Sequence, residues 1–300
     1  MTPAAPLFRS SGDLIADRRY AFARDFAARG DIAAAADLYA QAVEVAPGFV
    51  SAWFGLGEAR ARLGQTAEAI AAFQKAVALD PQDAHGAGLH LVRLGAAPPG
   101  AMPADYVRTL FDQYAPRFDT ALTEGLSYRA PDLLLTAVGT KRFTSALDLG
   151  CGTGLGGAAF RPHVDRLTGV DLSANMVAQA EAKGLYDRLV VADLVAFLAA
   201  EAAASYDLVF AADVFAYFPD LRPLCGACAR VLGPGGTFAF TVETHAGDGA
   251  TLGPSLRYSH GAAHVREALS GFRLLALEPA SSRTEAGAPV PGLVAVAERR

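Results

Sequence analysis

Cysteine, lysine and tryptophan are scarce in this chain of 300 residues, which contains three, three and one of them, respectively. Three cysteines cannot build a disulfide framework, and so small a number predicts a reducing compartment. Cys225 and Cys228 form a Cys-x-x-Cys pair, but no second pair or histidine cluster accompanies it. We therefore predict no metal site from these cysteines.

The chain also has no dense basic cluster and no long apolar run. Its net charge is −5, which argues against a nucleic acid as partner or substrate. No stretch of about 18 uncharged apolar residues occurs, so no membrane partner is expected. Residues 1–13 lack a basic start followed by an apolar run, so we expect no leader peptide and a cytoplasmic protein.

Apolar material, by contrast, is plentiful. The chain is 52% hydrophobic and 19% charged, which is the composition of a folded globular protein rather than of a disordered one. A length of 300 residues predicts two modest domains or one large one, and we favour two.

The amino-terminal third repeats itself at an offset of 34 residues. The matching pairs are Gly30 with Gly64, Ala35 with Ala69, Tyr39 with Phe73, Ala42 with Ala76, Val43 with Val77, and Pro47 with Pro81. This period is similar to that of tetratricopeptide repeats, in which small residues let two helices approach and aromatic residues fill the next groove. We predict such a module over residues 1–95, with repeats at about 16–49 and 50–83 and a cap helix at 84–94.

Two repeats and a cap are fewer than the roughly three that such arrays need for stability. We therefore expect contacts with the second domain or with another subunit to stabilise the module. In the second case the protein would be a homo-oligomer. The repeats also suggest docking of a protein partner.

Residues 96–104 are rich in proline and glycine and predict a linker. Over residues 105–300, apolar runs typical of strands alternate with helical patterns, which predicts an α/β domain with a seven-stranded, doubly wound, mainly parallel sheet. The predicted strands are Ala146–Leu149, Arg166–Val170, Leu189–Ala192, Leu208–Ala212, Thr237–Val242, Phe272–Leu277 and Leu293–Ala297. No helix precedes the last strand, so we expect it to be antiparallel.

The first of these strands ends in Asp148 and is followed by Gly150, Gly152 and Gly154. Ligands of open α/β sheets bind beyond the carboxyl ends of the strands, and glycines let a ligand lie directly against the main chain. Gly152, Gly154 and Gly157 also match the dinucleotide pattern Gly-x-Gly-x-x-Gly. Against that interpretation, the glycine run begins earlier, and the acid before it would repel a pyrophosphate. A tight turn without a ligand is the third alternative.

The next two strands also end in acids, Asp171 and Asp193. A carboxylate at the position of Asp171 can accept the hydrogens of ribose hydroxyls, and it can instead cap the following helix. A dinucleotide site requires only one such acid. Three successive strand-end acids therefore argue against a dinucleotide site.

This order of motifs resembles that of class I S-adenosylmethionine-dependent methyltransferases, and the repeats ahead of it resemble those of a group of bacterial predicted methyltransferases. The resemblance implies a Rossmann-like fold and S-adenosylmethionine as methyl donor. The resemblance also implies that Asp148 contacts the donor's amino group and that Asp171 contacts its ribose. Asp193 and Leu194 would contact the adenine. The implied donor-binding residues are Tyr114, Asp148, Gly150, Cys151, Gly152, Gly154, Asp171, Leu172, Met176, Asp193, Leu194 and Asp213.

The acceptor is less constrained. Residues 110–119, with Tyr114 and Phe118, resemble the lid segment of small-molecule methyltransferases, so we expect a small-molecule hydroxyl or carboxylate acceptor. The alternatives are a protein or carrier-protein substrate docked by the repeats, and a non-enzymatic interaction protein.

His245 and His260 are the candidate catalytic residues, as general bases for a hydroxyl or amine acceptor, because imidazole titrates near neutrality. Each is alternatively an ordinary hydrogen-bonded histidine. A carboxylate acceptor needs no base.

Overall fold

The computed structural model describes residues 7–300, so the first six residues of the predicted repeat module lie outside the described part. The chain divides into two compact units, one ending at Thr109 and the other running from Leu110 to Arg300. Within residues 7–300, no helix is long and apolar enough to cross a bilayer.

The first unit consists of helices that repeat at the predicted period. They are α1 (Leu14–Ala28), α2 (Ile32–Val45), α3 (Val50–Arg62), α4 (Thr66–Leu79) and α5 (Ala87–Arg93). The turns of the first two helix pairs each contain a glycine in the left-handed region, Gly30 at φ +88° and Gly64 at φ +75°. Because only glycine adopts this conformation without strain, the repeated glycines end α1 and α3 at equivalent places.

Close contact between the helices explains two further glycines. A Cβ atom added at Gly55 would lie 2.6 Å from the Tyr39 ring, and one added at Gly57 would lie 2.6 Å from the Phe73 ring. The aromatic side chains of α2 and α4 thus pack directly against the backbone of α3. This packing confirms the helical repeats predicted from the sequence.

The second unit is a sheet with helices on both faces. In chain order its elements are α6 (Ala104–Tyr114), within which the two units divide, then α7 (Phe118–Thr123), α8 (Ala130–Val138), β1 (Phe143–Leu149), α9 (Leu155–Phe160), β2 (Val164–Asp171), α10 (Ala174–Ala182), β3 (Arg188–Val191), α11 (Leu194–Ala200), β4 (Tyr206–Ala211), α12 (Arg222–Val231), β5 (Leu232–Glu243), β6 (Ala250–Leu252), β7 (Tyr258–His260), α13 (Ala262–Ala268), β8 (Phe272–Ala280), β9 (Thr284–Glu285), β10 (Ala288–Pro289) and β11 (Gly292–Arg299).

Seven of these strands form one sheet in the order β3-β2-β1-β4-β5-β11-β8. All seven predicted strands are present, and β11 is antiparallel to both of its neighbours, as expected. Two short hairpins, β6–β7 and β9–β10, were not predicted. Their strands have only two or three residues, too few for an alternating pattern to stand out.

A hydrophobic core lies on each face of the sheet. One contains Phe238 and the fully buried Cys225 and Cys228 of α12, and the other contains Leu134 of α8 and Phe210 of β4. The Cys-x-x-Cys pair is therefore explained by packing. The strand order reverses between β1 and β4, and ligands of doubly wound sheets bind beyond the strand ends at such a point.

Candidate functional site

The conformation of the turn after β1 is fixed by three glycines with positive φ angles and by hydrogen bonds to β2. Gly150, Gly152 and Gly154 have φ angles of +67°, +52° and +92°. The N–H groups of Gly150 and Cys151 donate to the Val170 carbonyl at 2.8 and 3.0 Å. A Cβ atom at Gly150 would lie 2.6 Å from Val214, so a larger residue is excluded there by both strain and space.

Beside this turn lies a cleft with an empty volume of about 330 Å³, part of which opens to solvent. Its lining residues are Phe118, Tyr128, Asp148, Gly150, Cys151, Gly152, Thr153, Leu155, Gly156 and Ala212. Asp148 is only 2% exposed. The cleft is therefore lined by glycine backbone, two aromatic rings and one carboxyl group that is almost inaccessible to solvent.

Asp148 is held in place by Tyr186. The Tyr186 hydroxyl donates to Asp148 Oδ2 at 2.7 Å and accepts from the Gly157 N–H at 3.1 Å. Burial raises the pKa of Asp148 to about 7, the charge of Asp171 also raises it, and the Tyr186 hydrogen bond lowers it. A cation in the cleft would favour the ionised form of this carboxyl group.

Tyr186 was not predicted as a site residue. The sequence signal that could have indicated Tyr186 was a set of glycines around it. A Cβ atom at Gly154, Gly157 or Gly169 would lie 3.1, 2.4 or 2.8 Å, respectively, from atoms of the Tyr186 side chain. Gly157, the third glycine of the dinucleotide-like pattern, thus makes room for a tyrosine. It does not line the cleft.

Asp171 organises the same turn from the end of β2. Its Oδ2 accepts the Gly152 N–H at 2.9 Å and its Oδ1 accepts the Ser173 N–H at 2.8 Å. Burial raises the pKa of Asp171 above its usual value. Ser173 caps α10 by accepting the Met176 N–H at 3.1 Å, and Leu172 between them is half-buried. A carboxylate has about four acceptor positions, so Asp171 retains capacity for ribose hydroxyls.

Asp193 lies at the end of the next strand, β3. Its side chain is exposed and caps α11 by accepting the Ala196 N–H at 3.0 Å, while Leu194 is 7% exposed. The structure therefore places the three acids at the carboxyl ends of three adjacent strands. Asp148 and Asp171 meet at the glycine turn, and Asp193 follows at the edge strand of the sheet.

Comparison with known proteins finds a match in each of the two units. Residues 147–240 match the family model described as a methyltransferase domain, and residues 20–84 match the model of a tetratricopeptide repeat. The second unit thus contains the matched methyltransferase domain, over residues 147–240.

The similar curated proteins include the malonyl-[acyl-carrier protein] O-methyltransferase of Enterobacter lignolyticus, 33% identical over 136 residues, 45% of this chain and 53% of that protein. The ubiquinone biosynthesis O-methyltransferase of Xanthomonas oryzae is 36% identical over 93 residues, 30% of this chain and 39% of that protein. The chain thus spans about half the length of the curated relatives it matches, or less.

Among solved structures, the [4+2]-cyclase SpnF superposes with a TM-score of 0.55 at 18% identity, covering 67% of this chain and 97% of that one. This likeness shows the fold alone. Because a cyclase shares the fold, the arrangement of strands does not by itself decide the reaction.

Residues 110–119, which resemble a lid segment in sequence, are hydrogen-bonded to the glycine turn and to the start of α10. Asp119 accepts a short hydrogen bond from the Thr153 hydroxyl and pairs with Lys183 at 2.6 Å. Asp112 accepts from the Ser173 hydroxyl at 2.5 Å. Tyr114 and Met176, both predicted to contact the donor, pack together in a small apolar cluster. Neither is among the cleft-lining residues, which include Phe118 and Tyr128 instead.

Asp213 belongs to a buried ionic cluster. It has a left-handed φ of +58°, which is costly for a residue other than glycine. Its Oδ1 accepts the Thr241 hydroxyl at 2.7 Å, and its Oδ2 accepts from the Ser282 hydroxyl at 2.7 Å and from Arg283 at 3.3 Å. Both oxygens are thus engaged by protein groups, and a contact of Asp213 with the donor stays a prediction.

The cluster continues through Arg283, which is 3% exposed and donates to Glu243 at 2.7 Å. Arg257 forms a short bond to the same Glu243 carboxylate and lies over the Tyr217 ring, with its Cζ 5.5 Å from the ring centroid. The pairing was not predicted, because Asp213, Glu243 and Arg283 are separated by 30 and 40 residues and show no local pattern.

Neither of the two candidate catalytic histidines is among the cleft-lining residues. His260 is fully buried, its Nε2 donates to the Phe215 carbonyl at 3.1 Å, and burial lowers its pKa to about 4. His245 is half-buried, and its Nδ1 accepts the Gly247 N–H at 3.1 Å. This geometry gives His260 a structural role, and a catalytic role for either histidine stays a prediction.

A pair of substitutions tests His260. The change His260→Ala removes the donor to the Phe215 carbonyl and should lower the free energy of unfolding by about 1–3 kcal/mol. The change His260→Asn keeps an N–H donor and should recover part of that loss. Both variants should bind S-adenosylmethionine like the unaltered chain in calorimetry. A His260→Ala variant of undiminished stability would contradict the structural role.

Proposed function

We propose that the methyltransferase domain binds S-adenosylmethionine in the cleft and transfers its methyl group to an oxygen atom of an acceptor. The observation that carries the proposal is the nearly dry Asp148 carboxyl group beside a backbone turn with three left-handed glycines. This combination suits the ammonium group and main-chain-like atoms of a methionine moiety. The strand-end acids Asp171 and Asp193 suit the ribose and adenine.

The sulfonium of the donor supplies a methyl group that is already activated for in-line displacement. The chain's own residues then have to orient the donor and exclude water. Asp148 would hold the ammonium group, and the glycine turn would support the methionine backbone. Phe118 and Tyr128 line the same cleft and would shield the reacting atoms from solvent. A carboxylate acceptor needs no proton transfer, whereas a hydroxyl acceptor must lose its proton.

For the acceptor, we propose a hydroxyl or carboxylate of a small molecule. Support comes from the similar curated proteins, two groups of which are O-methyltransferases. A second candidate is a carboxylate carried on an acyl-carrier protein. It is favoured by the malonyl-[acyl-carrier protein] O-methyltransferases among the relatives and by the repeat module, which could dock the carrier.

Two measurements test these proposals in order. Calorimetry with S-adenosylmethionine should show one site per chain, and absence of binding would overturn both candidates. Formation of S-adenosylhomocysteine should then be followed with free malonate, a catechol and malonyl-[acyl-carrier protein] as methyl acceptors. Turnover with the carrier-bound acceptor alone would replace the small-molecule proposal, and turnover with none of the three would overturn the acceptor class.

The proposal also predicts how donor binding depends on pH. The pKa of Asp148 is raised to about 7, so the carboxyl group becomes ionised as the pH rises through that value. The affinity for S-adenosylmethionine should therefore increase between about pH 5.5 and 7.5, below the range in which an α-amino group loses its proton. In Tyr186→Phe, the hydrogen bond that lowers this pKa is lost, and the midpoint of the affinity curve should move to higher pH.

Tyr206→Phe is the matched control for this experiment. Tyr206 is also a buried tyrosine that donates to a carboxylate, Glu201 Oε2 at 2.7 Å, but it is not among the cleft-lining residues. Its removal should leave the midpoint of the pH curve unchanged. Equal midpoints in the Tyr186→Phe variant and the unaltered chain would exclude Tyr186 as the residue that positions Asp148.

A further inference from the structure

A short amino-terminal segment, residues 7–11, lies on the helical repeats. We call it the strap. It is neither helix nor strand, and it precedes α1. Its contacts within the repeat unit involve α1, the start of α3 and the loop that follows α4, so it touches both repeats and the region before α5.

The strap contacts the repeat unit through both backbone and side chains. The Arg9 N–H donates to Ser51 Oγ at 2.9 Å, and the Arg9 guanidinium pairs with Asp80 at 3.1 Å. Phe8 stacks on Tyr20, with 5.2 Å between ring centroids, and meets Phe49 edge-on at 6.2 Å.

The next two residues of the strap bind Asp17. The Ser10 hydroxyl donates to Asp17 Oδ2 at 2.5 Å, and the Ser11 N–H and hydroxyl donate to Asp17 Oδ1 at 2.9 and 2.7 Å. Together Asp17, Tyr20, Phe49, Ser51 and Asp80 form what we call the strap site.

Two of the strap-site residues occupy equivalent places in the repeats. Asp17 and Ser51 are 34 residues apart, and a second step of 34 reaches His85, whose Nε2 lies 3.0 Å from Ser51 Oγ. The strap is therefore bound by the same position of successive repeats. This surface recognises an aromatic ring, a guanidinium group and two hydroxyl groups at consecutive residues.

We propose that the strap site binds a peptide segment of a partner protein that carries an aromatic residue followed by an arginine and hydroxyl residues, and that residues 7–11 occupy it as a competing intramolecular ligand. Charge complementarity supports this choice of occupant, because the site presents Asp17 and Asp80 to the segment. Phe8 is 45% exposed and the Arg9 side chain 50% exposed, so the strap lies at the surface, where another segment can exchange with it.

The test uses the full chain and a labelled peptide of residues 7–13. The double substitution Phe8→Ala with Arg9→Ala removes the ring contacts with Tyr20 and Phe49 and the ion pair with Asp80, so it should weaken the strap's own binding. A tethered segment competes at a local concentration of about millimolar, so the peptide should bind the double variant at least about tenfold more tightly than the unaltered chain. Arg18→Ala, which removes an exposed arginine of α1 outside the strap site, is the control and should behave like the unaltered chain.

Adding Asp17→Asn to the double variant should weaken peptide binding again, because the peptide's serine groups lose their charged acceptor. Equal affinity of the double variant and the unaltered chain, or no effect of Asp17→Asn, would overturn the proposal. So would no binding to the double variant at millimolar peptide, provided that its circular dichroism and melting curve match those of the unaltered chain.

A second measurement needs no substitution. In the unaltered chain, excess peptide should accelerate hydrogen exchange at the amides of Arg9 and Ser11, which the strap site binds. Unchanged exchange at saturating peptide would overturn the competition. Neither measurement involves methyl transfer, so the outcome is independent of the proposed function.

Discussion

Replacing Asp148 by asparagine is expected to weaken the binding of S-adenosylmethionine by about 30- to 4,000-fold. Truncating one member of a desolvated charge pair typically costs about 2–5 kcal/mol, and each 1.4 kcal/mol is about tenfold in affinity. Asparagine has nearly the same shape and can still accept the Tyr186 hydroxyl hydrogen through its Oδ1. The loss should therefore come from the missing charge and not from a collapsed turn, and calorimetry at pH 7.5 measures it.

Asp165→Asn is the matched control for this substitution. Asp165 pairs with Arg142 on the surface at 2.8 Å, and its side chain is 58% exposed. The affinity of this variant should equal that of the unaltered chain. Retention of full affinity in Asp148→Asn would mean that the ammonium group is bound elsewhere, and the assignment of the cleft to the methionine moiety would be wrong.

Replacing Arg283 by methionine is expected to lower the free energy of unfolding of the methyltransferase domain by about 3–5 kcal/mol. Methionine fills a similar volume but leaves Asp213 without its arginine partner and Glu243 with one arginine instead of two. Removing one member of a buried ion pair has this cost because the charge of the other member remains buried without a counter-ion. Calorimetric melting should show a decrease of roughly 6–20 °C, at about 2–4 °C per kcal/mol for a domain of this size.

Arg273→Met provides the comparison. Arg273 pairs with Glu298 at 2.8 Å, but its side chain is 62% exposed, and an ion pair in solvent contributes about 0–1 kcal/mol. The melting temperature of this variant should change by no more than a few degrees. If Arg283→Met melts like Arg273→Met, the cluster around Asp213 is screened by water and does not support the fold.

The sheet and the repeats could be predicted because their signals are periodic. Strands such as Leu208–Ala212 are continuous apolar runs, and the two repeats match at six pairs of positions 34 residues apart. The acids Asp148, Asp171 and Asp193 could be placed together because parallel strands end at one edge of a sheet. These inferences need only the chain's local pattern and the geometry of the fold.

Other parts of the site were beyond such reasoning. Tyr186 reaches Asp148 across 38 residues, and Arg283 reaches Asp213 across 70, so each contact depends on how separate elements pack. The predicted base His260 was placed by residue type, but its burial depends on the β6–β7 hairpin, which has no sequence signature. Side-chain contacts between residues far apart in the sequence are therefore the part of this site that only the structure supplies.

The exclusion of solvent from the Asp148 carboxyl group also determines which ligands the cleft rejects. A ligand that offers the adenosine and thioether portions but no ammonium group would leave the carboxylate without a counter-ion or force it to bind a proton. A site built around a buried polar group discriminates strongly against a ligand that lacks the matching group. If the proposed role of Asp148 is right, methylthioadenosine should therefore compete poorly with S-adenosylhomocysteine, and the same carboxyl group would keep truncated nucleosides out of the cleft.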